Sequence, residues 1–238
     1  MRFPRPILLA ATALAVLVPA TSHAQESRPF IDSWYWGAKA GMMTFWTPLV
    51  NHAAAPLGGI EWLITKRRAA LYLSGEQAFF TENSVFTVYN RDPDDPSSYN
   101  ADTLGVIPVG EGIVKMHNMR RFSAMLLAFP FERNGLRPYA GVGFSLNAIR
   151  GAAITDLVVS PPAGVPCCAV LSSLHATQTS TSAVFMGGVQ GQVGRAVVFG
   201  QGQIIPANRR FLFTPHSTFV LEGGVRYNVG SAHESATH

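Results

Sequence analysis

From Ser217 to Gly230 the chain reads STFVLEGGVRYNVG, and its residues sort cleanly by parity. Phe219, Leu221, Val225, Tyr227 and Val229 share one parity, with Gly223 among them; Thr218, Glu222, Arg226 and Asn228 share the other. Period-two alternation sustained this long dictates a β-strand with one apolar and one polar face. The polar face carries one Glu and one Arg and no other ionisable group. A solvent-facing strand of a soluble sandwich usually carries more Lys, Glu and Asp. Inside a small transmembrane barrel the polar face is enclosed, and its few charges must pair.

The N-terminus bears on that choice. Arg2 and Arg5 precede an apolar run from Ile7 to Ala20, which ends in Ser22-His23-Ala24. A basic start, a short apolar segment and a small-x-small site predict a secretory leader, 1–24, removed after Ala24. The run is too short for a membrane helix, which needs about 20 apolar residues. Only 13% of residues are charged, against about 25% in ordinary soluble proteins. Mean hydropathy is positive and glycine is abundant at 22 residues. Of 18 basic residues, against 14 acidic ones, Arg2 and Arg5 fall in the leader. The near-balance that remains gives no nucleic-acid signal. An exported chain that is poor in charge and rich in glycine fits a barrel embedded in a bacterial outer membrane.

The same parity test predicts seven more strands. Trp34 to Thr47 places Trp34, Trp36, Ala38, Ala40, Met42, Thr44 and Trp46 on one face and Tyr35, Lys39 and Met43 on the other. Leu57 to Thr65 opposes Ile60, Trp62 and Ile64 to Glu61, and Ala69 to Thr81 opposes Leu71, Leu73 and Phe79 to Tyr72, Ser74 and Glu76. Asn118 to Pro130 is less regular, with Phe122, Ala124, Leu126 and Ala128 outward and Arg121 and Ser123 inward. Arg137 to Ile149, Thr177 to Val193 and Ala196 to Ile205 complete the set. Lys66-Arg67-Arg68, Glu132 to Gly135 and Gly194-Arg195 read as tight turns, the second with an Asn-Gly hairpin pair. Pro48 to Pro56, Glu82 to about Lys115, Arg150 to Ala176 and Pro206 to Pro215 read as longer loops.

Eight strands with short and long connections in alternation form an all-β, antiparallel, up-and-down transmembrane barrel, placed at 25–230, with 231–238 as a short periplasmic tail. Strands of about 9 to 13 residues suffice to cross at the usual tilt. On these features the chain resembles the small eight-stranded outer-membrane barrels of the OmpA transmembrane-domain and OmpX type. The last strand also resembles the terminal assembly signal of such barrels at Glu222, Gly224, Tyr227 and Val229, although further residues follow it. The resemblance implies location in the outer membrane of a bacterial cell and contact with its lipids and lipopolysaccharide. It also implies handling by the assembly machinery, and a monomer.

The inward parity collects Lys39, Arg121 and Arg226 against Glu61, Glu76 and Glu222. An eight-stranded barrel is just wide enough for side chains to fill, so this set is expected to form an ion-pair network plugging the lumen. Closure of the first strand on the last is expected to bring Lys39 near Glu222 and Arg226. Glu222 and Arg226 are expected to compensate each other. Trp34, Trp36, Trp46, Trp62 and Tyr227 are expected to form aromatic girdles at the membrane interfaces.

Signals for catalysis are thin. His117, His175 and His216 fall near the outer ends of strands or in outer loops, and His216 adjoins Ser217, but no complete motif is present. Asp92, Asp94 and Asp95, and Met116-His117-Asn118-Met119, lack metal-site spacing. No catalytic residue, cofactor or metal is therefore expected. Cys167-Cys168 fits either a vicinal disulfide or a reduced pair. The function read from the sequence is a structural or surface-interaction barrel, not an enzyme. The alternatives are an enzyme acting on lipid A acyl chains and a lipocalin-like periplasmic ligand binder.

Overall fold

A computed structural model describes residues 30–50, 52–89, 108–133, 135–159, 174–175, 178–206 and 216–231. Eight strands follow one another in chain order: β1 Ser33–Phe45, β2 Ala53–Lys66, β3 Ala69–Tyr89, β4 Pro108–Ala128, β5 Leu136–Val159, β6 Thr179–Val193, β7 Ala196–Ile205 and β8 Thr218–Ser231. Each pairs antiparallel with the next, and β1 closes on β8, leaving a barrel without edges through its wall. The leader 1–24, the Asp92, Asp94, Asp95 cluster, Cys167-Cys168 and the tail beyond Ser231 lie outside the described residues.

The apolar parity points outward. Trp36, Phe144 and Leu221 are 49%, 67% and 71% exposed, while Lys39 and Glu222 are 5% and 3% exposed. This polarity is inverted relative to a water-soluble fold, and it is the arrangement that lipid selects.

The short connections are tight for identifiable reasons. Gly194 adopts φ 61° in the β6–β7 turn and Gly135 adopts φ 77° in the β4–β5 turn, conformations that glycine tolerates without strain. Arg133 and Leu136 exchange two backbone hydrogen bonds of 2.9 and 3.0 Å across the second of these.

Four boundaries differ markedly from the sequence reading: the start of β2, the end of β3, the start of β4 and the end of β5. β2 begins at Ala53, so Pro56 lies within the strand rather than in a loop. Beyond Leu57, β2 has lost its partner β3, and an unpaired edge is where a residue without an N–H is tolerated. β3, β4 and β5 run on for 21, 21 and 24 residues, through much of what reads as the two long loops. Their ladders continue to Tyr89↔Pro108 and Glu111↔Val159, a three-stranded ribbon extending past the barrel at the long-loop end.

The parity of β4 is broken by a bulge between its two halves, and the apolar inward Met125 and Leu127 blur it further on. Asn118 sits at φ 54° and is skipped by the pairing on both sides, a bulge that switches the inward set from Val114 and Met116 to Met119 and Arg121.

Candidate functional site

The six ionisable groups on the inward parity meet inside the barrel. Lys39 Nζ pairs with Glu76 and lies 3.2 Å from Glu222 Oε2. Arg121 pairs with Glu76 and reaches within 3.6 Å of Glu222 Oε1. Arg226 pairs through Nε with Glu61. The side chains concerned are 0–2% exposed. Three positive and three negative groups leave the cluster formally neutral, the condition for burying charge without a large desolvation penalty.

Neutral polar side chains join these pairs into one network. Tyr72 Oη donates to Glu61 Oε2 at 3.0 Å and accepts from Lys39 Nζ at 2.7 Å, so it bridges the two halves. Gln201 and Gln203 each donate to Glu222 Oε2 at 2.7 Å. Tyr139 Oη donates to Gln201 Oε1 at 2.8 Å, and Arg226 Nη1 donates to Gln190 Oε1 at 2.5 Å. The Arg226 guanidinium also stacks 3.8 Å from the Phe199 ring centroid. These neutral members all fall on the inward parity, and the legible cue to them was polarity rather than charge.

Arg226 takes Glu61 as its partner, across the β8–β1–β2 seam, rather than Glu222 on its own strand. Registry explains the difference. Gly37 pairs with both Arg226 and Glu61, and lacking a side chain it lets those two meet over it. A Cβ at Gly37 would lie 3.0 Å from both Arg226 Cγ and Glu61 Oε1. Lys39 and Glu222 do come together, as strand closure implies.

Apolar layers cap the network on both sides. Toward the short turns lie Phe30, Tyr35, Leu63, Met125, Leu127, Phe129 and Val197. Phe30 is drawn beneath the barrel, its carbonyl accepting a hydrogen bond from Thr65 Oγ1 and its ring edge-on to Phe129 at 4.9 Å. Toward the long loops lie Met43, Phe45, Phe86, Val114, Met116, Met119 and Val220. Water-poor surroundings strengthen each pair and raise the cost of orphaning one partner.

Aromatic residues gather at both ends of the outer wall. Trp36 stacks on Trp62 at 5.6 Å, Trp34 meets Trp62 edge-on at 6.0 Å, and Tyr227 pairs with Trp36 in the ladder. At the other end Trp46, just past β1, contacts His52, His216 and Phe219. The residues of the terminal pattern divide between faces: Glu222 inward, Tyr227 and Val229 outward, and Gly224 beneath the Phe199 ring.

The histidines sit in different settings. His117 bonds Thr81 Oγ1 at 2.9 Å, His216 lies against Trp46, and His175 is exposed in a short helical turn. The bulge turns Met116 and Met119 into the lumen while His117 stays on the other face, so those three side chains do not converge.

No protein-family model matches the chain, and no curated protein does. Among solved structures it is similar to Neisserial surface protein A, with a TM-score of 0.50 and 15% identity over 82% of this chain and 96% of that one. Ail, the attachment invasion locus protein of Yersinia pestis, matches at TM-score 0.41 and 8% identity, over 83% and 99% of the two chains. The outer membrane protein OprG from Pseudomonas aeruginosa matches at 0.38 and 9%, over 83% and 94%. Closed, all-antiparallel and lined with paired charge, the chain has the fold of the small eight-stranded outer-membrane β-barrels, as in Neisserial surface protein A.

Proposed function

We propose that this chain is an integral outer-membrane barrel, not an enzyme, and that it acts as a structural or surface-interaction protein. The observation that carries the reading is the inverted polarity: apolar and aromatic side chains cover the wall while six charges are sealed within it. A lipocalin-like binder would turn its apolar parity inward around a ligand, and here the inward face holds the ion pairs instead.

The surface role is assigned to the β3–β4–β5 ribbon, which extends beyond the length needed to cross a bilayer. Its outward residues Thr81, Asn83, Glu111, Lys115 and Thr155 are polar and exposed, unlike the wall below. The network serves as a rigid plug, because a polar belt closed between two apolar layers offers ions no continuous wet path.

Extraction tests the membrane reading. The protein should stay with membranes through carbonate and high salt, leave only in detergent, and migrate differently on gels with and without boiling. Release by carbonate would refute it. An effect on lipid A acylation from His117→Ala, His175→Ala or His216→Ala would transfer the reading to the enzyme alternative.

A further inference from the structure

The charges at the two ends of the barrel are distributed differently. At the long-loop end the described charges are mixed: Glu82, Glu111 and Asp156 with Lys115, Arg120 and Arg150. At the short-turn end they are mostly basic. Lys66, Arg67, Arg68 and Arg133 are exposed and have no carboxylate partner among the described residues. Arg137 is neutralised by Glu132 at 2.8 Å, and Arg195 is partly exposed. Asp32 and Glu132 are the acidic residues described there.

Placement around the ring separates the kinds of partner. The three short turns lie between β2 and β3, β4 and β5, and β6 and β7, at three of the four alternate gaps of the closed sheet, the fourth being β8–β1. Each carries at least one arginine: Arg67 and Arg68, Arg133, and Arg195. A discrete anionic ligand would draw its cations to one side. Cations at three of the four alternate gaps, with Asp32 beside the fourth, spread over most of the circumference, which suits a plane of negative charge.

The depth of the collar is fixed by the wall above it. Lys66 continues the outward parity of Trp62 and Ile64, one step below the Trp34–Trp36–Trp62 cluster. The Arg195 guanidinium lies 5.2 Å from the ring centroid of outward-facing Tyr227, and its Nη2 donates to the Asn228 carbonyl at 3.1 Å. Aromatic rings of this kind settle at the headgroup level of a bilayer, so the adjoining cations meet lipid phosphates.

We infer that the three short turns form a cationic collar that binds anionic phospholipid headgroups, of the phosphatidylglycerol or cardiolipin class, in the leaflet next to them. The inference rests on the membrane-spanning reading above. Cations close to an anionic surface add attraction one by one and lose it as salt screens them. The collar therefore enriches acidic lipid around the barrel and fixes how deeply its lower end sits.

The test uses the refolded full-length protein in phosphatidylcholine vesicles doped with spin-labelled phosphatidylglycerol or spin-labelled phosphatidylcholine. Electron paramagnetic resonance then reports the lipid held at the protein wall. The comparison variant is Lys66→Gln, Arg67→Asn, Arg68→Gln, Arg133→Gln and Arg195→Gln together. Asn is chosen at Arg67 because that residue sits at φ 47°. The wild type should prefer the phosphatidylglycerol label by about fivefold or more, and molar salt or the combined variant should bring the preference close to one. Equal retention of the two labels by inserted wild type, or an unchanged preference in the inserted variant, overturns the collar alone. Carbonate-extractable wild type overturns the spanning reading and the collar with it. Loss of sedimentation with purified cell-wall sacculi in the variant, with no lipid preference in the wild type, would assign the collar to a wall polymer and overturn the lipid proposal.

Discussion

Lys39 is held between Glu76 and Glu222, and Arg226 is committed to Glu61, so single removals have unequal consequences. Glu61→Ala or Arg226→Ala alone orphans a buried charge and should each cost about 3–5 kcal/mol of stability. The Glu61→Ala/Arg226→Ala double variant should lose far less than the two losses added together, as measured by urea unfolding in detergent. Glu222→Ala combined with Arg226→Ala should come closer to additive, since those two make no direct contact and the shortest link between them is Gln201, 2.7 Å from one and 3.3 Å from the other. Additivity in the first cycle would refute the assigned pairing. The glycines offer a second test. A Cβ on Gly224 would lie 2.2 Å from the Ala38 carbonyl oxygen and 2.8 Å from Phe199 Cζ, whereas at Gly200 it would meet nothing within 4 Å. Gly224→Ala should therefore cost about 2–3 kcal/mol while Gly200→Ala stays near neutral, a difference that the same unfolding curves would show.

Among the elements, the β3–β4–β5 ribbon departs most from what the sequence led one to expect. Its outward face sets Thr81, Asn83, Glu111 and Lys115 around a lone Val85–Ile113 pair, so the continuous outward apolar stripe that marks the other strands is missing. The inward stripe, Phe80, Ser84 and Phe86 opposite Val114 and Met116, was the available cue. Prolines and aspartates in the stretch between β3 and β4 obscured it, and the Asn118 bulge broke the parity where β4 crosses into the wall. Asn83 and Lys115 face each other in the ladder. Replacing residues 84–114 by an Asn-Gly turn should therefore leave a barrel that inserts and remains heat-modifiable. Stability should fall by several kcal/mol, because Phe86 and Val114 leave the apolar cap at about 1.5–3 kcal/mol per buried side chain. A shortened chain that no longer inserts would show instead that the ribbon belongs to the folding unit.

For the whole molecule, the apolar–polar–apolar layering of the lumen sets the expectation for transport. Reconstituted protein should give no steady single-channel current in planar bilayers and no small-solute flux in vesicle swelling assays. Reproducible conductance steps would refute the plug. Strand number, direction, facing and the alternation of short and long connections were all legible in the sequence. So was the membership of the charge set, because side-chain direction along a strand has a strict period of two and lipid tolerates only one polarity. The partners within that set were decided by tertiary structure alone. Which carboxylate meets Arg226, and that Tyr72 and Gln201 connect the pairs, follow from the stagger of each strand on its neighbours around a closed ring. The tight turns set the register within each hairpin, but the stagger summed around the ring, and with it which inward groups meet across the lumen, depends on how β1 closes on β8.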